Sequence, residues 1–221
     1  MGLGLGDPVP DGTTLANFRK RMQSVGLQAK LLAELEATLQ AEGLLAKKGT
    51  LVDATFIQSA RRKSDPDQAV GHKGKGYSAS VAVDASTKLV RRVATTDASV
   101  HDSKTLAAVL PGDPGKVYAD LGYWGEPCRA AIRQVGGIPC IPHKRTRGKN
   151  LIPWQAGVNA VLAKTRSRVE HVFARWKTGL KLRNSRYAGL GKVNAYLHGI
   201  ALAYNFQRLG FLFRRRALAW G

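Results

Sequence analysis

The chain has 221 residues, 44% of them hydrophobic, enough to bury a core within the size of one domain. Its 35 Lys and Arg against 15 Asp and Glu give a net charge of +20, which sets it apart from an ordinary near-neutral enzyme and asks for a polyanionic partner. Met1-Gly2 opens without a cationic signal region, and Gly6 stands where a myristoylation signal wants Ser or Thr, so neither secretion nor a lipid anchor is expected.

Residues 13–43 read as two helices. Thr13 or Thr14 is the expected cap of the first, Gly26 breaks the pattern, and Leu27, Leu31, Leu35 and Leu39 form the stripe of the second. Such a pair can enter a DNA groove, although a leucine stripe more often only packs. From Gly49 the pattern turns to strands: 50–57, 78–84 and 88–95, with a turn at Ala85-Ser86-Thr87. The segment 61–76 between the first two reads as a mobile basic connection. Its Gly74-Lys75-Gly76-Tyr77-Ser78-Ala79 matches a dinucleotide fingerprint only in form, because it leads into a strand rather than a helix. A helix over 103–110, a strand over 117–120, a helix over 126–135 and a strand over 138–142 follow, and helical spacing continues through 163–177. The order is βββαβαβα, an α/β chain with a mixed five-stranded sheet, as a ribonuclease-H-like fold requires. The apolar tract 195–213 is interrupted by His198, Asn205, Gln207 and Arg208, which fits a buried helix and not a membrane span.

Three carboxylates stand in telling places. Asp53 lies in Leu51-Val52-Asp53-Ala54-Thr55-Phe56-Ile57, apolar on both faces as a central strand is, where an ionised acid needs a cation or hydrogen bonds. Asp120 closes a strand just before Gly122 releases the backbone into a turn. If the two strands are neighbours, two like charges meet and ask for a metal. Glu170 is the only acid from Lys144 to Gly221, on a helix whose stripe is Val169, Phe173, Trp176 and Leu180. Arg166, Glu170 and Lys177 share another face of it. The plainer alternatives stay open: backbone-bonded or turn-forming aspartates, and an Arg166–Glu170 ion pair along the helix. Asp84, Asp97 and Asp102 are rival acids read as structural, Asp102 as a helix-opening residue. The five histidines show no metal spacing, and Cys128 and Cys140 read as small apolar fillers in a reducing compartment.

At these residues the chain resembles the DDE transposases of bacterial insertion sequences, of the family-five type with a Tyr-Arg-Glu-Lys signature. Arg166, Glu170 and Lys177 keep that signature's intervals. Val52-Asp53-Ala54-Thr55 and Ala119-Asp120-Leu121-Gly122-Tyr123-Trp124-Gly125 resemble its two aspartate motifs, and the stretch from Pro10 to Arg19 resembles the helical segment that precedes them. The signature's Tyr is replaced by Ala163, and the resemblance implies a further helical region before the stretch from Pro10, so an internal-start or truncated product is expected. The resemblance implies a transposase that hydrolyses phosphodiesters and transfers strands at insertion-sequence ends, with Asp53, Asp120 and Glu170 as catalytic, metal-holding residues. It implies two Mg2+ or Mn2+ ions, double-stranded DNA as substrate and target, and a homo-oligomer on the DNA. Arg166, Lys177, Arg168, Arg175, Lys73 and Lys75 are the expected DNA contacts. The expected division is an N-terminal helical region over 1–48, a ribonuclease-H-like catalytic domain over 49–186, and a helical, basic tail over 187–221, in a bacterial cytoplasm at the nucleoid. The rivals are a non-catalytic DNA-binding remnant and a ribonuclease-H-like nuclease acting on RNA or hybrids.

Overall fold

The computed structural model describes residues 8–45, 48–59, 69–71, 74–145 and 150–219. Its sheet holds β1 (Thr50–Gln58), β2 (Ala69–Gly71), β3 (Gly74–Asp84), β4 (Val90–Asp97), β5 (Lys116–Tyr118) and β6 (Ile138–Cys140). The helices are α1 (Gly12–Ser24), α2 (Leu27–Ala41), α3 (Leu106–Val109), α4 (Glu126–Gln134), α5 (Pro153–Thr178) and α6 (Leu190–Ala219). β1, β3 and β4 form an antiparallel meander, and β5 and β6 lie parallel to β1 on its other side. The main order across the sheet is therefore β4-β3-β1-β5-β6, an α/β arrangement compatible with a ribonuclease-H-like fold.

The central place of β1 explains why its residues are apolar on both faces. Leu51 and Ile57 enter one core with Val169, Val172, Phe173 and Trp176 of α5 and Val193, Leu197 and Ala201 of α6. Val52 enters the other with Leu106, Val117, Ala119, Tyr123, Cys128 and Ile132. At roughly 1.5–3 kcal/mol for each fully buried large aliphatic side chain, these two layers dominate the stability of the chain. Glycine is needed where β1 meets its neighbours: a Cβ at Gly49 would lie 2.9 Å from the Lys116 carbonyl oxygen, and one at Gly76 2.3 Å from that of Ile57.

Several boundaries differ from the sequence reading, each for a local reason. The cap of α1 is Asp11, whose carboxylate accepts the Thr14 N–H at 2.6 Å, rather than Thr13 or Thr14. The inward face of α2 is Leu32, Leu35, Glu36 and Leu39, with Leu31 exposed, because a strict four-residue repeat drifts around a helix of 3.6 residues per turn. Residues 69–71 are a strand, and Gly74 to Gly76 belong to β3, so the connection 61–76 is partly sheet; its residues 61–68, 72 and 73 lie outside the described ones. β2 is thus a sixth, three-residue strand beyond the five expected. β4 starts at Val90, not Lys88, since Asp84 Oδ1 accepts the Ser86 and Thr87 N–H groups and prolongs the turn to Lys88 at φ 62°. The helix expected over 103–110 is a 3-10 turn, Asp102–Thr105, followed by the four-residue α3. α5 begins ten residues earlier than its stripe suggested, with Pro153 at the first helical position, where its missing N–H costs nothing. α6 is a long helix packed on β4 and α2, and no helix among the described residues is long and apolar enough to cross a membrane.

A carboxylate site at the end of β5

The β1–β5 pairing sets Thr50 opposite Val117 and Leu51 opposite Tyr118. Asp53 and Asp120 each follow the last paired positions by two residues, and the charge of Asp120 acts on Asp53. Strand parity turns Asp53 to the same side as Leu51 and Ile57, the side covered by α5. β5 ends at Tyr118 while β1 runs on to Gln58, so no strand lies beside β1 at Asp53 on that flank. There Asp53 Oδ1 accepts the N–H of Ala54 at 2.8 Å. Asp120 leaves the strand as the cap of a 3-10 turn, Leu121–Tyr123, with Oδ1 accepting the Gly122 N–H at 2.7 Å.

Burial is the main reason the Asp53 carboxyl is pushed up to about 6. The Ala54 N–H and the Arg166 guanidinium pull it down, while the charges of Asp120 and Asp102 push it up. A half-buried acid under the charges of two others is a place that a cation would relieve, and carboxylate oxygens suit a hard one such as Mg2+ or Mn2+. Tyr123 is buried in the second core, where Ser80 meets its hydroxyl. Burial, then Asp102, Asp53 and Asp120, drive its ionisation well above the usual phenol range.

Glu170 lies on α5 one turn after Arg166, and its side chain is exposed. It forms no ion pair with Arg166 among the described residues, so the helix-stabilising pair that the spacing allowed is not formed. Among the described residues no three Asp, Glu, His or Cys side chains stand close enough to hold an ion together. Arg166, Asp120 and Asp102 nonetheless each act electrostatically on Asp53, and Glu170 is exposed on α5.

The other expected contacts fall in several settings. Arg166 is half-buried, with its Nε unpartnered, and Lys177 is half-buried on the same helix face. Arg168 donates to the Ala85 carbonyl at 3.2 Å, and Arg175 donates to Gln207 Oε1 from Nε and Nη2 at 3.1 and 3.0 Å, joining α5 to α6. Lys75 is exposed on β3, and Lys73 lies outside the described residues. Asp84 caps the β3–β4 turn and Asp97 accepts the Ser99 N–H at 2.8 Å, as structural acids do. Asp102 opens its 3-10 turn as expected, yet it also acts on Asp53, which its place in the sequence did not reveal.

Residues 45–206 match the family model for the transposase DDE domain. The chain belongs to that family. Both aspartates, the connecting helices and α5 all fall within the matched span of this transposase domain. One glycine sits against the turn that Asp120 caps: a Cβ at Gly122 would lie 2.8 Å from Asp120 Oδ1. Gly122→Ala is expected to change the melting point little, because a carboxylate can swing away where backbone cannot. It would nonetheless displace Asp120 and weaken Mn2+ binding about tenfold in a calorimetric titration, whereas unchanged binding would mean that the placement of Asp120 is unimportant.

Proposed function

We propose that this transposase domain cuts and joins DNA at insertion-sequence ends, as a member of the family-five type, on a ribonuclease-H-like scaffold. Asp53, Asp120 and Glu170 are its metal-holding acids. The effect of the Asp120 charge on Asp53, two residues beyond the last paired positions Leu51 and Tyr118, supports the reading. The buried, raised carboxyl of Asp53 supports it, because an acid held there without a cation is costly. Glu170 joins by turning its side chain over the flank of α5, one turn from an Arg166 whose charge already reaches Asp53.

Two Mg2+ or Mn2+ ions, when bound, would activate the attacking oxygen and stabilise the leaving one. Asp53, Asp120 and Glu170 would hold them. Arg166 and Lys177, on the same face of α5, would hold the phosphates beside the scissile bond, drawn by the strong positive charge of the chain. Water attacks first in this scheme, and the DNA 3′-hydroxyl then attacks a target phosphodiester, so no protein side chain becomes covalently attached. The residue near Glu170 that carries the family's signature Tyr is Ala163, exposed on α5, so a ring at that position plays no part here.

The test is nicking of supercoiled plasmid by the full chain in Mg2+ or Mn2+. Parent protein should nick, and Asp53→Asn, Asp120→Asn and Glu170→Gln should each lose at least a hundredfold of the rate while salt-sensitive DNA binding persists. Equal nicking by parent and variants refutes the assignment. Cleavage of RNA or of an RNA–DNA hybrid in preference to duplex DNA would instead support a nuclease of the same fold.

A further inference from the structure

Two tryptophans lie open to water at the edge of the sheet where β5 and β6 end. Trp124, 49% exposed, leaves the 3-10 turn that Asp120 caps, and Trp154, 58% exposed, lies in the first turn of α5. An exposed indole forfeits the burial that usually holds it, so two together ask for a partner. His143 and Lys144, which follow β6, join them. The His143 ring meets Trp154 edge-on with centroids 5.0 Å apart, and Lys144 Nζ lies 5.2 Å from the centroid of the Trp124 ring.

That two-residue segment is pinned. Asn159 of α5 accepts the His143 N–H at 2.8 Å through Oδ1 and donates to the His143 carbonyl at 3.0 Å from Nδ2. β5 and β6 are parallel, so Trp124 and Lys144 both leave the end of the sheet at which Asp120 sits. Charge chooses between partners. Lys144 and Arg145 are exposed here, Glu126 beside Trp124 is paired with Arg133, and no acid lies between Lys144 and Glu170 in the sequence. A second copy would bring the same cations against these, whereas a phosphate backbone would neutralise them.

We propose that Trp124 and Trp154 are a stacking surface for the unpaired bases of single-stranded DNA, with Lys144 and Arg145 taking the adjoining phosphates. This rests on the reading of the carboxylates as the cutting site, because a strand opened beside a cut is what would offer its bases here. Every base has a π-face, so such rings read no sequence, only the lack of a pairing partner. A duplex hides those faces and gains nothing from the rings. The flexible stem of Lys144 lets its ammonium swing from the Trp124 ring to a phosphate when a base takes that place.

The experiment is titration of the full chain, without divalent ions, into a short fluorescent oligothymidylate and into a labelled duplex, both read by anisotropy. Trp124→Ala and Trp154→Ala should each bind the single strand about tenfold more weakly than the parent, and Trp124→Phe and Trp154→Phe within about threefold of it. Duplex affinity should be unchanged in all four, and so should the melting points, because both rings are exposed. Alanine variants that bind the oligothymidylate as the parent does would overturn the proposal. So would equal losses for single strand and duplex, which a merely positive surface would give, and so would tighter binding of oligouridylate than of oligothymidylate. A parent dimer that Trp154→Ala dissociates, with strand binding kept, would make this face a contact between copies and overturn it too. Binding without divalent ions does not depend on the three acids, so failure here leaves their reading standing, and failure of the nicking test leaves this one measurable.

Discussion

Glu36→Ala is expected to lower the stability of the chain by about 3–5 kcal/mol, the usual loss when one partner of a buried ion pair is removed. Glu36 sits on the inward face of α2, and its Oε1 accepts from Arg91 Nε at 2.7 Å. Its Oε2 accepts from Arg92. Arg91 is 1% exposed and also donates to the Asp113 side chain and, at 3.3 Å, to the Asp113 carbonyl. One guanidinium thereby joins α2, β4 and the loop before β5, and Thr50 fixes that loop from β1 by donating to the Pro114 carbonyl at 2.8 Å. Removing Glu36 leaves the Arg91 charge in the core with its partner on α2 gone. For a chain of this size the melting point should drop by roughly 10 °C. Glu36→Leu combined with Arg91→Met should recover much of the loss, because an apolar pair carries no desolvation cost. A melting point for Glu36→Ala within 2 °C of the parent would mean that α2 is not anchored through this pair.

Asp53→Asn is expected to act in the opposite sense, raising the stability of the metal-free chain by about 2 kcal/mol at pH 7.5. Folding lifts the Asp53 carboxyl from its ordinary 3.8 to about 6, so the folded state holds this proton more tightly than the unfolded one. Its contribution to stability is therefore full below pH 4, is lost as the pH rises through about 6, and stays lost above. Asparagine has no charge to desolvate and keeps an oxygen for the Ala54 N–H. The gain over the parent should accordingly be large at pH 7.5 and vanish near pH 4, in denaturant titrations at both values without divalent ions. Millimolar Mn2+ should then stabilise the parent and not the variant, reversing their order. A variant less stable than the parent at pH 7.5 would show that the charge of Asp53 is satisfied by the protein itself.

Much of this site was legible in the sequence because its signals are strong where the fold is regular. An acid inside a segment apolar on both faces marked β1 as central, and an acid before a glycine at a strand end marked the exit of β5. The strand order led to the expectation that the two strands are neighbours, and β1 does pair with β5. Glu170 stood out as the only acid from Lys144 to Gly221 and by its spacing to Arg166 and Lys177, but a helix face gives no measure of how far its side chain turns toward the sheet. What escaped depends on long-range packing. Glu36 lies among the leucines of α2 with no signal of its own in the sequence, and only the fold puts Arg91 against it. Asp102 looked like a helix-opening acid, which it is, and nothing local to it reports the approach of Asp53 or of the Tyr123 hydroxyl. The cap of α1 was misplaced by two or three residues because Asp11, Thr13 and Thr14 are all capable caps, and the backbone of the turn chooses between them.

The most direct test of the site is diffraction from crystals soaked in Mn2+, read from the anomalous signal of the metal. Two manganese peaks about 3.5–4 Å apart should lie between the carboxylates of Asp53 and Asp120, with a Glu170 oxygen on one of them. Peaks absent from that position, or present with Glu170 still turned to solvent, would contradict the three-acid account.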